Sequence, residues 1–279
     1  MVWSLAVAAL IAGILIWFIV PYSPTKAEFA KLTSYQMTKM MTQGGIITSE
    51  DIAELPLPVQ KYFHYCGYIG KSKMSNMIMH FNDVDFVLTP DKPKLKIKYT
   101  QYNFAEEPER TAYIDTSLYG IPFEGIDAYQ NGAGSMKGVI AKTFTLFDQK
   151  GKAMDQASLV TCLAESLLLP TLALQEYISW EEIDETHAQA VINFYGISAS
   201  GIFTFDDNGA MTRFTTNDRE YTDTKGNSQK VKWSAVCGDY EEVDGIKYPS
   251  NLKAVWHLET GDLVYFDGRD ITVKYDVSK

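Results

Sequence analysis

The stretch from residue 188 to residue 275 constrains the fold more than any other part of the chain. Short runs rich in β-branched and aromatic residues alternate there with the turn sequences Asp-Asn-Gly, Asp-Gly and Thr-Gly-Asp. Turns of this composition connect neighbouring antiparallel strands as hairpins. The stretch therefore predicts an antiparallel meander, and the rest of the chain must pack against a large sheet.

Composition and charge indicate a folded chain and exclude some partners. The chain has 279 residues, of which 46% are hydrophobic and 22% are charged, as is usual for a globular protein. Its formal net charge is −10. A surface that binds nucleic acid must be basic, and adhesion to anionic headgroups needs clustered Lys and Arg. We therefore expect no nucleic-acid partner and no broad attraction to an acidic membrane.

The N-terminus carries an uninterrupted apolar segment. Residues 2–20 contain no charged side chain, and a helix of about 20 apolar residues can cross a bilayer core. No Lys or Arg precedes the segment and no small-residue cleavage site follows it, which disfavours a cleaved signal peptide. We expect a transmembrane anchor over residues 1–22 with the lipid bilayer as its partner, a helical tether over 23–46 and a sheet domain over 47–279.

The longest predicted helix inside the sheet domain spans residues 155–169, where Asp155 or Ser158 can cap it and Pro170 ends it. Its apolar side chains lie almost all round the helix, so it should be buried. Glu165 lies within this helix, and a buried carboxylate must find a partner or shift its pKa upward. A structural hydrogen bond to an Arg or Tyr of the sheet is the preferred interpretation, and a ligand-binding or catalytic role for Glu165 is the alternative.

Further helices are predicted on either side of the tether's end. One covers residues 27–43, and a short one follows Pro58 and stops at Gly67. Both carry apolar side chains at helical spacing, which should pack against the sheet. A polar loop is predicted over 218–229.

Alternating hydrophobicity extends the sheet to the first half of the chain. Residues 94–99 place Leu, Ile and Tyr on one face and three lysines on the other. In residues 77–88 the alternation changes phase near residues 82–83, which predicts a β-bulge. We expect an α+β fold in which one strongly curved antiparallel sheet, a half-barrel of about eight to eleven strands, packs on helix 155–169.

The sequence contains no motif of a known reaction. The four histidines are not at metal-ligand spacing, and the three cysteines are far apart. The glycine-rich segment 131–138 lacks the Gly-Lys-Ser/Thr ending of a phosphate loop and is predicted to be a hairpin turn. We expect no metal and no cofactor, and an enzymatic role has no support beyond Glu165.

An ordered set of short motifs nevertheless resembles a bacterial family of unknown function over about residues 47–275. The segments that carry the resemblance are residues 55–62 (LPLPVQKY), 67–71 (GYIGK), 99–102 (YTQY), 163–170 (LAESLLLP), 201–206 (GIFTFD), 239–240 (DY), 245–249 (GIKYP) and 256–258 (WHL). The resemblance implies no activity, substrate or catalytic residue. The predicted architecture is also similar, more distantly, to the lipoprotein carriers of the bacterial envelope.

The side of the membrane follows only weakly from these observations. Lys26, Lys31 and Lys39 follow the apolar segment, and the positive-inside rule would place the domain in the cytoplasm. The resemblance to envelope carriers implies the opposite side. We lean slightly towards an extracytoplasmic domain.

Three functions are compatible with this architecture. The leading hypothesis is non-enzymatic binding of a hydrophobic or lipid-like ligand, because a curved sheet with one buried helix can leave an apolar cavity. The alternatives are a protein-interaction or structural module and an enzyme that uses Glu165 as acid or base. The candidate ligand-binding residues are Gln101, Tyr102, Glu165, Arg213, Trp233, Tyr240 and Trp256.

Overall fold

The computed structural model describes residues 2–41, 44–90, 92–222 and 226–278. One residue of the predicted anchor, two of the predicted helix 27–43 and three of the predicted loop 218–229 lie outside this description. The helices are α1 (Val2–Ile19), α2 (Pro24–Lys39), α3 (Leu57–Tyr65), α4 (Lys152–Ala164) and α5 (Pro170–Ala173), and a 3-10 turn (Ser166–Leu168) connects the last two.

The strands alternate with short turns along most of the chain. They are β1 (Asn76–Phe86), β2 (Leu95–Phe104), β3 (Glu109–Leu118), β4 (Ile121–Gln130), β5 (Ala133–Ile140), β6 (Phe144–Lys150), β7 (Ile178–Asp184), β8 (His187–Phe194), β9 (Ile197–Phe205), β10 (Met211–Thr216), β11 (Glu220–Thr222), β12 (Ser228–Lys230), β13 (Trp233–Val243), β14 (Ile246–Leu258) and β15 (Gly261–Tyr275).

Thirteen of these strands form one antiparallel sheet. Its order is β6-β5-β4-β3-β2-β1-β15-β14-β13-β10-β9-β8-β7, and β11 and β12 form a separate hairpin. The predicted meander is therefore confirmed, but the estimate of eight to eleven strands was too low. Most of the β11–β12 hairpin falls within the predicted loop 218–229, because polar strands of three residues give too little alternation to be recognised.

Helix α4 shows how strongly the sheet bends. It packs against both β5 and β9, which are separated by nine strand spacings of about 4.8 Å, or about 43 Å in a flat sheet. A helix about 10 Å wide can contact both strands only if the sheet wraps around it. Leu159 and Leu163 of α4 are fully buried in the resulting core.

Two polar contacts fix α4 between these strands. The Asp155 Oδ1 carboxylate accepts a hydrogen bond from the Gly134 amide over 2.8 Å, and Gln156 Nε2 donates to the Ser198 carbonyl over 2.8 Å. Gly134 belongs to β5 and Ser198 to β9. The helix therefore bridges the two halves of the sheet on its inner face.

The bounds of the buried helix differ from the prediction. The helix begins after Gly151 and ends at Glu165, its C-cap residue, rather than spanning 155–169. Pro170 does not end this helix but begins α5, since proline is tolerated in the first turn of a helix. Asp155 does not cap α4, because its carboxylate binds β5 instead.

Helix α2 covers part of the outer face of the sheet. Gln36 is buried, its Nε2 donates to the Tyr129 carbonyl over 3.3 Å, and its Oε1 accepts from the Thr111 hydroxyl over 2.8 Å. The Phe29 ring lies 5.4 Å from that of Tyr113. The segment predicted as a tether is therefore packed on β3 and β4 for most of its length.

Several local predictions are confirmed in detail. The β1–β2 register shifts between Phe81 and Val84, which is the expected bulge. Ile97 and Tyr99 are buried while the lysines on either side of Ile97 are exposed. The predicted hairpin turn over residues 131–138 is confirmed only for residues 131–132, which form the β4–β5 turn with positive φ at both positions, whereas residues 133–138 belong to β5.

The structure does not show the predicted transmembrane helix. In the described part of the chain, no helix combines the length and apolar character that are needed to cross a membrane.

The close approach of α4 to β5 yields a stability prediction. A Cβ atom added at Gly134 would lie 2.3 Å from the Met154 carbonyl oxygen, so Gly134→Ala must displace the first turn of α4. Overpacking of this kind costs about 1–3 kcal/mol. Urea denaturation should show that loss of unfolding free energy for Gly134→Ala.

Gly238→Ala is the matched control. Gly238 also lies within a strand, but an added Cβ would meet no atom within 4 Å. Its denaturation midpoint should stay close to that of the unaltered chain. Equal losses for the two variants would contradict the proposed role of the α4–β5 contact.

Candidate functional site

Glu165 lies between α4 and the inner face of the sheet. The Gln101 Nε2 and Asn103 Nδ2 amides each donate to Glu165 Oε2 over 2.7 Å, and Arg110 Nε lies 3.5 Å from the same oxygen. Gln101 and Asn103 share one face because they stand two residues apart in β2. Two amide donors and one guanidinium group therefore converge on one carboxylate oxygen.

Arg110 connects this carboxylate to the neighbouring strands. Its side chain is only 3% exposed, and its Nη1 donates to Asp127 Oδ2 over 2.8 Å. Its Nη2 donates to the Tyr99 hydroxyl and to Gln101 Oε1, each over 2.8 Å. A buried guanidinium needs such partners, and here two carboxylates balance its charge. The cluster thus joins β2, β3 and β4 to the end of α4.

Burial sets the ionisation of Glu165. It raises the pKa of the Glu165 carboxyl above its ordinary value of 4.5, while the charge of Arg110 and the amides of Asn103 and Gln101 act in the opposite direction. A raised pKa is common in catalytic acids. However, the same donors that would activate the carboxylate also occupy it, and this geometry supports a structural contribution to the position of α4.

A second candidate site is a cavity of about 440 Å³ at one end of the sheet. Its walls come from the segment after β1, from β11 and from the β14–β15 hairpin, and seven of its nine lining residues are apolar or aromatic. Ligand-binding cavities commonly have volumes of about 300–1,000 Å³. The aliphatic and aromatic residues that line this cavity include Leu88, Pro90, Tyr221, Trp256, Leu263 and Tyr265. We call this cavity the aromatic pocket.

Aromatic rings form one wall of this aromatic pocket. The rings of Trp256 and Tyr265 are stacked with centroids 6.2 Å apart, and the Tyr221 ring lies 5.5 Å from Trp256. Trp256 stands opposite Trp233 in the β13–β14 register, and the Trp233 indole donates to the Tyr265 hydroxyl over 3.1 Å. Cross-strand contacts of this kind hold large side chains in fixed positions.

Arg219 lies behind that wall. Its guanidinium carbon is 4.4 Å from the centre of the Trp233 ring and 5.5 Å from that of Trp256, close enough for cation–π attraction to both rings. Its Nη1 also donates to the Thr161 hydroxyl of α4 over 3.3 Å. Arg219 thereby links the aromatic pocket to the buried helix.

An Asp–His–Ser chain lies across the neighbouring strands. Asp262 Oδ1 is 2.7 Å from His257 Nδ1, and His257 Nε2 is 2.9 Å from the Ser234 hydroxyl. This order of groups resembles that of serine hydrolases. Ser234, however, has no exposed surface and shares its hydroxyl with Thr215 over 3.0 Å. A nucleophile must reach its substrate, so this chain supports the sheet rather than a hydrolysis reaction.

The structure divides the predicted ligand-binding residues among several places. Gln101 and Glu165 meet in the buried cluster, and Trp233 and Trp256 meet at the aromatic pocket. Tyr102 lies against α2 on the outer face, with its ring 6.0 Å from Phe29.

The two remaining predicted residues lie away from both sites. Arg213 pairs with Val236 in the β10–β13 register. Tyr240 donates its hydroxyl hydrogen to the Met211 carbonyl over 2.9 Å and packs on Tyr65, near α3. The predicted set therefore does not form one site.

The pocket residues missed by sequence reasoning come from distant segments. Leu88 and Pro90 follow β1, and Tyr221 belongs to the unrecognised hairpin. The His257–Asp262 pair could have been anticipated, because the Thr-Gly turn places these residues opposite one another. Within the described residues, no group of three or more His, Cys, Asp or Glu side chains is arranged to hold a metal ion.

Comparison with known families identifies the chain at the family level. The family model described as "Family of unknown function (DUF6544)" matches residues 45–268, which is more than half of the chain. The chain belongs to this family. No curated protein matches it. In this DUF6544 member, the segment LAESLLLP supplies Glu165 and the segment YTQY supplies Gln101, so two of its motifs meet in the buried cluster.

Two solved structures are similar to this chain at low sequence identity. A LolA superfamily protein from Nitrosomonas europaea is 10% identical, with a TM-score of 0.41, and the match covers 79% of this chain and 94% of that protein. A domain described as an outer membrane lipoprotein-sorting protein, from Vibrio parahaemolyticus, is 11% identical with a TM-score of 0.32, over 74% and 86% of the two chains. Likeness at this level carries no argument about this chain.

The raised pKa of Glu165 predicts a pH-dependent stability. The folded state holds the proton more tightly than the unfolded state, whose pKa is near 4.5. This contribution is fully present below about pH 4.5 and is lost as the pH rises through the folded-state pKa, with a slope of at most about 1.4 kcal/mol for each pH unit. The Gln side chain of Glu165→Gln does not ionise. The unfolding free energy of the unaltered chain minus that of Glu165→Gln should therefore fall as the pH rises through that window. Denaturation at several pH values checks this, and a difference that grows with pH would contradict it.

Proposed function

We propose that this DUF6544 member binds a hydrophobic or lipid-like ligand without transforming it, and that the ligand occupies the aromatic pocket. The pocket itself is the observation that carries the proposal. It combines a volume of about 440 Å³ with stacked rings of Trp256 and Tyr265 and with the aliphatic side chains of Leu88 and Leu263. Aromatic and aliphatic side chains of this kind suit an apolar ligand and offer few groups that could react with it.

The aromatic pocket does not lie where the sequence predicted a cavity. A curved sheet with one helix was expected to leave an apolar cavity between the two, but Leu159, Leu163 and Leu167 are fully buried there against the sheet. The inner face also holds the buried charge of Arg110 and the largely buried carboxyl group of Glu165. Space for an apolar ligand therefore lies at the end of the sheet, next to the inner core rather than inside it.

We further propose that α1 inserts into a lipid surface. Every described side chain of α1 is exposed except Phe18, which is half-buried, and the helix has no charged residue. A protein partner would cover one stripe of such a helix, whereas hydrocarbon surrounds all of it. Insertion next to a lipid-binding pocket would keep the protein beside its ligand. The slight preference for an extracytoplasmic domain remains a prediction.

The alternatives make different demands on the structure. An interaction module would use a sheet edge, and β6 is an edge strand with exposed Phe144 and Leu146. An enzyme that uses Glu165 would need substrate to replace the protein donors now held by its carboxylate. Neither alternative accounts for the aromatic pocket.

A charge at the rim tests the ligand proposal. Leu88 is 37% exposed and lines the pocket, so Leu88→Asp should leave the fold intact while placing a carboxylate against the apolar part of a ligand. Uncompensated charge in an apolar contact costs more than about 1.4 kcal/mol, which is a tenfold change in affinity. With dansyl-labelled undecanoic acid as probe, tryptophan-to-dansyl energy transfer in a nonionic detergent should show binding at least tenfold weaker in Leu88→Asp.

Ile183→Asp is the matched control for this titration. Ile183 is 48% exposed in the edge strand β7 and does not line the pocket. The control should bind the probe like the unaltered chain. Equal binding by all three chains would show that the probe does not use the pocket and would overturn the proposal.

A further inference from the structure

The C-terminal end of α1 is fixed to the turn between β5 and β6. The Lys142 ammonium donates to the carbonyls of Trp17, Phe18 and Val20 over 3.0, 3.3 and 2.6 Å. The Trp17 indole in turn donates to the Ala141 carbonyl over 3.4 Å. A cation at this position satisfies carbonyls that have no partner within the helix and opposes the negative end of the helix dipole. The apolar helix therefore leaves the sheet domain at a defined place.

Large apolar side chains are exposed around that place. Tyr119 is 101% exposed and Phe144 is 67% exposed, and Ile121 and Leu146 stand beside them on β4 and β6. We call these four residues the tip cluster. They lie on or beside the β3–β4 and β5–β6 turns, where a soluble protein usually places small polar residues.

These two turns contain non-glycine residues with positive φ, a backbone conformation that is unfavourable for residues with a side chain. Tyr119 has φ +53 before Gly120, and Ala141 and Lys142 have φ +55 and +60. Hairpin turns with positive φ at both central positions normally use Asn, Asp or Gly, because a side-chain Cβ is strained there. Backbone strain of this kind is most often retained where the side chain has a function. Tyr119 and Lys142 are placed by strained turns, and Lys142 holds α1.

The aromatic pocket opens at the same end of the sheet. Strands β1, β3 and β5 end there and β2, β4 and β6 begin there, because each pair is antiparallel. The pairing of Phe86 with Phe266 brings the β14–β15 hairpin to this end as well. The pocket, the tip cluster and the exit of α1 therefore share one end of the sheet.

We infer that this end of the sheet rests on a lipid surface, with the tip cluster in the interfacial layer and the aromatic pocket opening towards the lipid. The inference rests on the proposed insertion of α1. Tyr and Trp rings favour the boundary between headgroups and hydrocarbon, where one end of the ring is apolar and the other is wet. The surface that the tip cluster contacts is lipid rather than protein, because the tip cluster adjoins a helix that is apolar on every described side.

The test uses the full chain in phosphatidylcholine vesicles. Tyr119→Cys places a thiol in the tip cluster, and Ile183→Cys places one on β7, away from this end. The three native cysteines are buried and free, so a membrane-impermeant maleimide reports on the new thiol. Because both thiols belong to one rigid sheet, the ratio of their labelling rates does not depend on how the protein is oriented in the vesicle.

Flotation first shows whether the chain is bound to the vesicles. Floating Tyr119→Cys should then be labelled at least tenfold more slowly than floating Ile183→Cys, and Phe144→Cys should behave like Tyr119→Cys. A chain that floats and is labelled equally at residues 119 and 183 would overturn the inference but leave insertion of α1 standing. A chain that does not float would overturn both. Binding of dansyl-labelled undecanoic acid tests the pocket separately.

Discussion

The packing of α4 against β5 and β9 is the constraint on which the rest of the structure depends. A single sheet of thirteen strands can reach both sides of one helix only by bending around it. The bend requires close backbone approach, which Gly134 permits, and it leaves polar groups that Asp155 and Gln156 satisfy. The α4 helix thus acts as the centre of the fold.

The inner face of the sheet is filled by side chains and leaves little space for a ligand. The space that a curved sheet could offer to a ligand is taken by leucines of α4 and by the Arg110–Glu165 cluster. Replacing Arg110 would leave the carboxyl groups of Glu165 and Asp127 without their shared cation, whereas replacing Glu165 leaves Arg110 paired with Asp127. The available cavity lies instead at the end of the sheet, where Arg219 connects its aromatic wall to α4. The aromatic pocket is therefore connected to the core through the contacts of Arg219.

Local sequence signals predicted the features that depend on near neighbours in the chain. Hairpin turns, the bulge near Phe81 and the alternation around Ile97 follow from residues within a few positions of one another. The largely buried position of Glu165, whose side chain is 18% exposed, followed in the same way from the apolar residues around it. Its partners did not, because Gln101 and Arg110 come from strands more than 50 positions away.

The aromatic pocket could not be read from the sequence for the same reason. Leu88, Tyr221 and Trp256 are brought together only by the order of strands in the sheet. The end of α4 was also missed, since the apolar run continues through the 3-10 turn and nothing local distinguishes Glu165 as a cap. Both features are set by tertiary packing rather than by the propensity of the segment.

The central claim is that the aromatic pocket holds a hydrophobic or lipid-like ligand. Native mass spectrometry of the full chain, purified in mild detergent and followed by extraction of bound lipid, tests it most directly. The account predicts a defined mass excess on the unaltered chain that is absent from Leu88→Asp. A chain that carries no such excess, or an equal excess on both chains, would contradict it.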